Sequence, residues 1–288
     1  MRYAVIANRY KVSKVGIADV FQKESDDIKD YTSLIERAFN EGINYFDITM
    51  PEEGRLSQII EDLNIRDNVF INGMISFVQH EESGLTTEKY LDRWFNDNLT
   101  KMPGGRLDSL MIDTIEDCNQ SLYEEIIRGI DKRQKNGDIG ILGFSSCNHG
   151  FARELADKFP QFEIVKTEYN FKNRSFEPNL NPYSGETSFV AMNPFVWYEE
   201  PFYNVNKLSE EEAEKLLKGR KISDIAAKAI RWILYNKQVS LCVSQMNNEE
   251  DLEMLIDAGT SELKVKEALE LEVYRQVGEE EEKRTLFS

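Results

Sequence analysis

Histidine is nearly absent from this chain: with only His80 and His149 in 288 residues, a histidine-rich metal site is excluded. The three cysteines, Cys118, Cys147 and Cys242, are odd in number, widely separated and without CxxC spacing, which argues against a disulfide framework or a structural zinc site. No run approaches the roughly 18 apolar residues of a membrane span, and residues 1–20 lack a charged segment followed by a long apolar stretch, so a cytoplasmic protein is expected. Basic charge is scarce as well. The 35 Lys and Arg against 52 Asp and Glu leave a formal charge of −17 with no basic cluster, which makes nucleic acid and anionic membrane poor partners. No Pro/Gly/Ser-rich linker divides the sequence, and 1–288 reads as one domain whose last part, 263–288, is an extra helix and an acidic tail.

What is present is a regular alternation. Eight short apolar runs, Val15–Ala18, Tyr45–Asp47, Val69–Met74, Ser109–Ile112, Ile139–Phe144, Ile164–Glu168, Phe189–Met192 and Ser240–Val243, read as strands. Between most of them lie stretches with apolar residues three or four apart, such as Tyr31–Asn40, Thr87–Leu99, Ser121–Gln134, His149–Phe159 and Ile222–Tyr235. Strand–helix units repeated eight times predict an α/β fold, a (β/α)8 TIM barrel. A doubly wound open sheet is the competing architecture, but no Gly-rich phosphate loop follows any strand. Arg174–Ser188 carries Pro178, Pro182 and Gly185 without helical period, which predicts a shortened or missing helix after the sixth strand. Leu263–Val277 predicts an additional helix beyond the eighth unit.

In such a barrel the working groups lie where strands end, which singles out Ala18-Asp19, Asp47, Met74, Asp113, Ser145-Ser146, Lys166 to Asn170 and Asn193. Five pieces in order, Val12–Gly16, Gly42–Asp47, Ile141–Ser145, Glu168–Asn170 and Ala229–Trp232, resemble the aldo-keto reductase family over nearly the whole chain. The resemblance implies a barrel with an N-terminal hairpin around Met1–Val12 and a nucleotide laid across its C-terminal mouth. Members of that family reduce carbonyls with NADPH through an Asp, Tyr, Lys and His set. Asp47 matches the aspartate. The tyrosine falls on Glu53, or on Glu52 if no residue is inserted; the lysine falls on Met74 and the histidine on Asp113. A glutamate cannot simply replace the phenol as proton donor, because it normally loses its proton near pH 4.3.

The nucleotide contacts implied by the resemblance are altered too. The Ser-Asn pair for the nicotinamide amide reads Ser145-Ser146, the glutamine opposite reads Lys166, and Asp19 replaces a small hydroxyl residue. The Gly-x-Arg segment for the adenosine phosphate aligns with Gln245-Met246-Asn247, and the Glu-Asn pair with Met254-Leu255, so no arginine meets a 2′-phosphate there. No cofactor is therefore expected, with NADPH as the alternative.

The expected site is Asp47, Glu53, Asp113 and Lys166 at one mouth. Carboxylates brought together raise one another's pKa, leaving one as acid and another as base. Lys166 would bind a substrate carboxylate or act as a Schiff-base amine, and the acids offer a divalent cation oxygen ligands without Asp-x-Asp spacing. A structural ion-pair network is the competing account. Cys147 is a candidate thiol at a helix start, His149 is expected in the first helical turn facing water, and His80 is expected on loop surface. Three functions follow: a mouth that binds a small molecule or peptide group, with non-redox acid–base chemistry; a non-catalytic pseudoenzyme subunit that docks a protein through residues 174–188 and the aromatic loop 195–203; and an atypical NADPH-dependent oxidoreductase.

Overall fold

The computed structural model describes residues 1–18, 28–48, 55–113, 120–171, 173–177, 187–192, 194 and 222–271. A two-stranded antiparallel hairpin, β1 (Tyr3–Ile6) and β2 (Tyr10–Ser13), precedes a closed barrel of eight parallel strands. The barrel strands are β3 (Val15–Ala18), β4 (Tyr45–Ile48), β5 (Phe70–Ser76), β6 (Leu107–Asp113), β7 (Ile139–Ser145), β8 (Phe162–Glu168), β9 (Ser188–Met192) and β10 (Val239–Gln245), which closes on β3. Around them run α1 (Ile28–Asn40), α2 (Arg55–Asp62), α3 (Phe77–Ser83), α4 (Thr87–Asn98), α5 (Gln120–Asn136), α6 (His149–Lys158), α7 (Ile222–Tyr235) and α8 (Glu249–Thr260). All eight expected strands are present, extended at most ends by a residue or two.

Period-two alternation sorts each strand between two cores. Outward residues such as Ile71, Ile75, Leu110, Ile112, Val165, Phe189 and Cys242 pack against the helices. Inward residues, among them Tyr45, Phe70, Met111, Ile141, Ile164, Val190 and Leu241, fill the lumen. The hairpin plugs the N-terminal end. Ile6, Ala7 and Val12 join the lumen cluster, Tyr10 meets Phe70 edge-on at 5.1 Å, and Ala7 N donates to Ser188 Oγ at 2.9 Å. Gly16 is required where Tyr45 crosses β3, because a Cβ there would lie 2.6 Å from the ring's Cδ1.

Beyond the eighth unit, residues 265–271 are helical, in keeping with the expected extra helix; the remainder of 263–288 past Leu271 lies outside the described residues. Arg231 of α7 fastens this helix. It is buried, and its guanidinium reaches Asp257 of α8 at 2.7 Å and Glu267 at 2.8 Å. After β8, residues 175–177 form a turn, and 178–186, where a short or absent helix was expected, lie outside the described residues. Two helices were not read from the sequence, α2 and α3. Among the described residues no helix is long and apolar enough to cross a membrane.

Candidate active site

The lumen carries one polar layer above its apolar floor. Asp47 on β4, Asn72 on β5 and Ser109 on β6 are lateral neighbours in register and all point inward. Ser109 Oγ donates to Asn72 Oδ1 at 2.5 Å, and Asn72 Nδ2 donates to Asp47 Oδ1 at 2.7 Å. The remaining oxygen, Asp47 Oδ2, accepts from Lys166 Nζ. Lys166 comes from β8, four strands away in a ring of eight, so its side chain spans the lumen from the opposite wall. All four groups are buried, with the Asp47 and Lys166 side chains 1% and 6% exposed. At such depth each charge requires the other, because a lone buried ion is costly.

This arrangement explains how the chain tolerates Met74 at the end of β5. Asp47 draws its cation from across the barrel instead of from its neighbouring strand. Asn72 and Ser109 were missed in the sequence, although the signal was there: in Phe70–Asn72–Met74 and Ser109–Met111–Asp113 they share parity with lumen-facing residues. Beneath them the Tyr45 hydroxyl is fully buried and has no hydrogen-bond partner among the described residues. Burial, and secondarily the Asp47 charge, push that phenol's pKa well up, so it holds its proton.

Asp113 ends β6, half-buried, paired in register with Ser76 on one side and Ser145 on the other. Ser145 in turn pairs with Lys166, which sets Asp113, Ser145 and Lys166 on three successive strands. Desolvation raises the Asp113 pKa, and the positive charge of Lys166 only partly opposes it. Burial is thus the leading cause for Asp113, and the expected partner Glu53 is not among the described residues. Glu53, like Glu52, lies outside the described residues, as do Asp19, Asn193 and the aromatic loop 195–203. Among the described residues no group of three His, Cys, Asp or Glu side chains is placed to hold a metal ion.

Around the mouth, Ser146 serves the backbone: its Oγ accepts from Asn148 N at 3.1 Å, and Asn148 caps α6 by accepting from Phe151 N. Cys147 is exposed just ahead of that cap. His149 does occupy the first turn of α6 but does not simply face water. Its Nδ1 is buried, its ring meets Phe176 edge-on at 4.9 Å, and burial lowers its pKa against the pull of Glu168. His80 also departs from expectation; it belongs to α3, with ring centroids 5.3 Å from Phe77 and 5.1 Å from Tyr90. In both cases an aromatic neighbour distant in the sequence draws the imidazole inward.

At the far end of the mouth, β10 ends at Gln245 and leads to the N-terminus of α8. Helix starts attract anions, yet this one is occupied by its own groups. Asn248 accepts from Asp251 N at 2.9 Å, the Asp251 carboxylate accepts from Asn247 N at 2.8 Å, and Glu249 and Glu250 complete an acidic first turn. Met246, Met254 and Leu255 are buried.

A profile of the Aldo/keto reductase family matches residues 15–273. None of the curated proteins matches. Among solved structures, an aldo/keto reductase from Klebsiella pneumoniae in complex with NADP and acetate superimposes with a TM-score of 0.75 at 16% identity, covering 95% of each chain. Two Pseudomonas aeruginosa structures assigned to the aldo-keto reductases give TM-scores of 0.66 and 0.65 at 14% and 16% identity, over 89% of this chain and 94% of theirs. Such identities carry the fold and not the reaction. The profile spans most of the sequence and the barrel closes as the resemblance implies: the chain belongs to the aldo/keto reductase family.

Proposed function

We propose that this barrel does not reduce carbonyls with NADPH, and that its mouth binds a small molecule or a peptide group on which Asp113 acts as a proton-transferring acid or base beside Lys166. One observation carries the reading: Lys166 crosses the lumen to Asp47, so the amine that stands in place of a nicotinamide-contacting glutamine is spent on the aspartate. A half-buried carboxyl next to it, with its pKa raised, suits general acid–base work nearer neutrality. Glu53 belongs to the same proposed set by its place in the sequence.

The described residues argue against NADPH. The solved relative from Klebsiella pneumoniae holds NADP, but here the start of α8 presents Glu249, Glu250 and Asp251 where a phosphate would need donors. The same chemistry, with an overall charge of −17, supports a protein that avoids nucleic acid and anionic membranes and works in the cytoplasm. A second reading, a non-catalytic binding subunit, draws on the mutual satisfaction of Asp47 and Lys166, which is what a structural pair requires.

A thermal-shift comparison with NADPH, NADP and divalent cations tests the first reading, since any saturating ligand raises the melting temperature by mass action. No shift with either nucleotide is expected. A concentration-dependent rise with NADPH, together with NADPH oxidation in the presence of an aldehyde, would remove it. Co-purification of a stoichiometric protein partner, with function unchanged in Asp113→Asn, would favour the subunit.

A further inference from the structure

We propose that His149 is a proton-operated latch on the strap 173–177: the neutral ring seats the strap against the barrel, and a second proton on it draws Glu168 away from Asn173 and frees the strap. The inference is independent of what the mouth binds. Phe176 of the strap is fully buried and stacked on Phe189 of β9, with ring centroids 4.4 Å apart. On the α7 side the Arg174 guanidinium lies over the Trp232 ring at 4.7 Å, and Glu177 accepts from the Tyr169 hydroxyl at 3.0 Å. On the α6 side His149 meets Phe176 edge-on at 4.9 Å. At the base of the strap one oxygen, Glu168 Oε1, accepts from Asn173 Nδ2 at 3.1 Å and from Asn170 Nδ2 at 3.4 Å, while Asn173 N donates to Asn170 Oδ1 at 2.7 Å.

The latch lies in His149 Nδ1, which is buried and has no hydrogen-bond partner among the described residues. A neutral imidazole with its hydrogen on Nε2 leaves Nδ1 a bare acceptor beside the phenyl ring. A second proton turns it into a donor without an acceptor and adds a charge, both costly away from water. Of the charged groups around the ring, Arg153 on α6 pairs with Asp157 at 2.7 Å, and Arg174 and Glu177 on the strap are engaged with Trp232 and Tyr169. β9 presents the apolar Phe189. Glu168 at the end of β8 is the charged group that acts on His149, and it can answer the new donor only by giving up the two asparagines. Burial outweighs its pull, so the seated ring has a lowered pKa. His149 therefore costs the seated strap nothing above the ordinary histidine range; the penalty grows as pH falls through that range and is complete below the lowered folded value. Acid favours the free strap.

Hydrogen exchange of the full chain from neutral to mildly acidic pH, corrected for the intrinsic rates, tests this at the amides of Asn173 and Glu177, which donate to Asn170 Oδ1 and to the Arg174 carbonyl. Their opening is expected to rise by up to about tenfold per pH unit between the ordinary histidine value and the lowered one, while the barrel strands keep their protection. His149→Phe keeps an aromatic ring against Phe176 without a titrating group, so its strap should show no such rise. Glu168→Gln keeps an oxygen for Asn173 but removes the charge that favours the imidazolium, and should move the midpoint to lower pH. Should His149→Phe fail to fold, NMR of the parent decides: with two histidines in the chain, the imidazole titration is read directly, and its midpoint must coincide with that of strap opening. A strap indifferent to pH, the same acid response in His149→Phe, a midpoint that stays or rises in Glu168→Gln, or a loss spread evenly over the barrel overturns the proposal.

Discussion

Lys166 on β8 and Asp47 on β4 meet from opposite walls of the barrel, and each is the other's compensation for leaving water. The pair ties together strands that share no backbone hydrogen bond. Its value lies less in net stability than in what its removal leaves behind, because a buried pair roughly breaks even against apolar substitutes while a half-pair does not.

Asp47→Ala should therefore cost about 3–5 kcal/mol at neutral pH, since it strands the Lys166 ammonium and leaves the Asn72 amide without its acceptor. The double substitution Asp47→Asn with Lys166→Met should recover most of that loss. Urea unfolding of the three proteins decides it, and a double variant no more stable than Asp47→Ala would contradict the pairing.

Asp113 should leave a pH signature of the opposite sign from a paired carboxylate. Its folded pKa is raised, so the native state holds the proton longer than the unfolded chain does. Its contribution is present below the ordinary aspartate range and is lost as pH rises through the raised folded value. Asp113→Asn should consequently be more stable than the parent at neutral pH and gain nothing in acid. Paired melting curves at both ends of that window would expose an error in the sign.

Of the architecture, the strand–helix alternation was legible because lumen and helix-facing positions differ in parity and apolar run length. The short α2 and α3 were not, since each shows too few turns to establish a period. Of the site, Asp47, Asp113 and Lys166 were legible as strand-end residues. What the sequence did not reveal is which of them touch: contact across a lumen depends on strand tilt and stagger, so Lys166 reads as an available amine until the barrel closes it onto Asp47. Asn72 and Ser109 were passed over because a polar residue within a buried strand draws notice only once its inward parity is known.

Arg231 should prove structural. Replacing it with Met removes the contacts to Asp257 and Glu267 and should cost about 1–3 kcal/mol, with the largest local effect at residues 265–271. Hydrogen exchange resolves the two: protection should fall first in that helix, and a uniform loss over the whole barrel would argue for a different role.

Gly16→Ala should be destabilising by about 1–3 kcal/mol, because the new methyl would lie 2.6 Å from the Tyr45 ring, which is itself stacked on Phe70 at 5.2 Å. Denaturant midpoints for Gly16→Ala alone and with Tyr45→Leu test the clash; failure of the second change to relieve the first would place the strain elsewhere.

The central proposal is that a nucleotide site has given way at the mouth to the Lys166–Asp47 pair beside a half-buried Asp113. Titrating the protein with NADPH while following nucleotide and tryptophan fluorescence tests this most directly. The account predicts no saturable change. Stoichiometric, saturable quenching by NADPH that a second nucleotide displaces would contradict it.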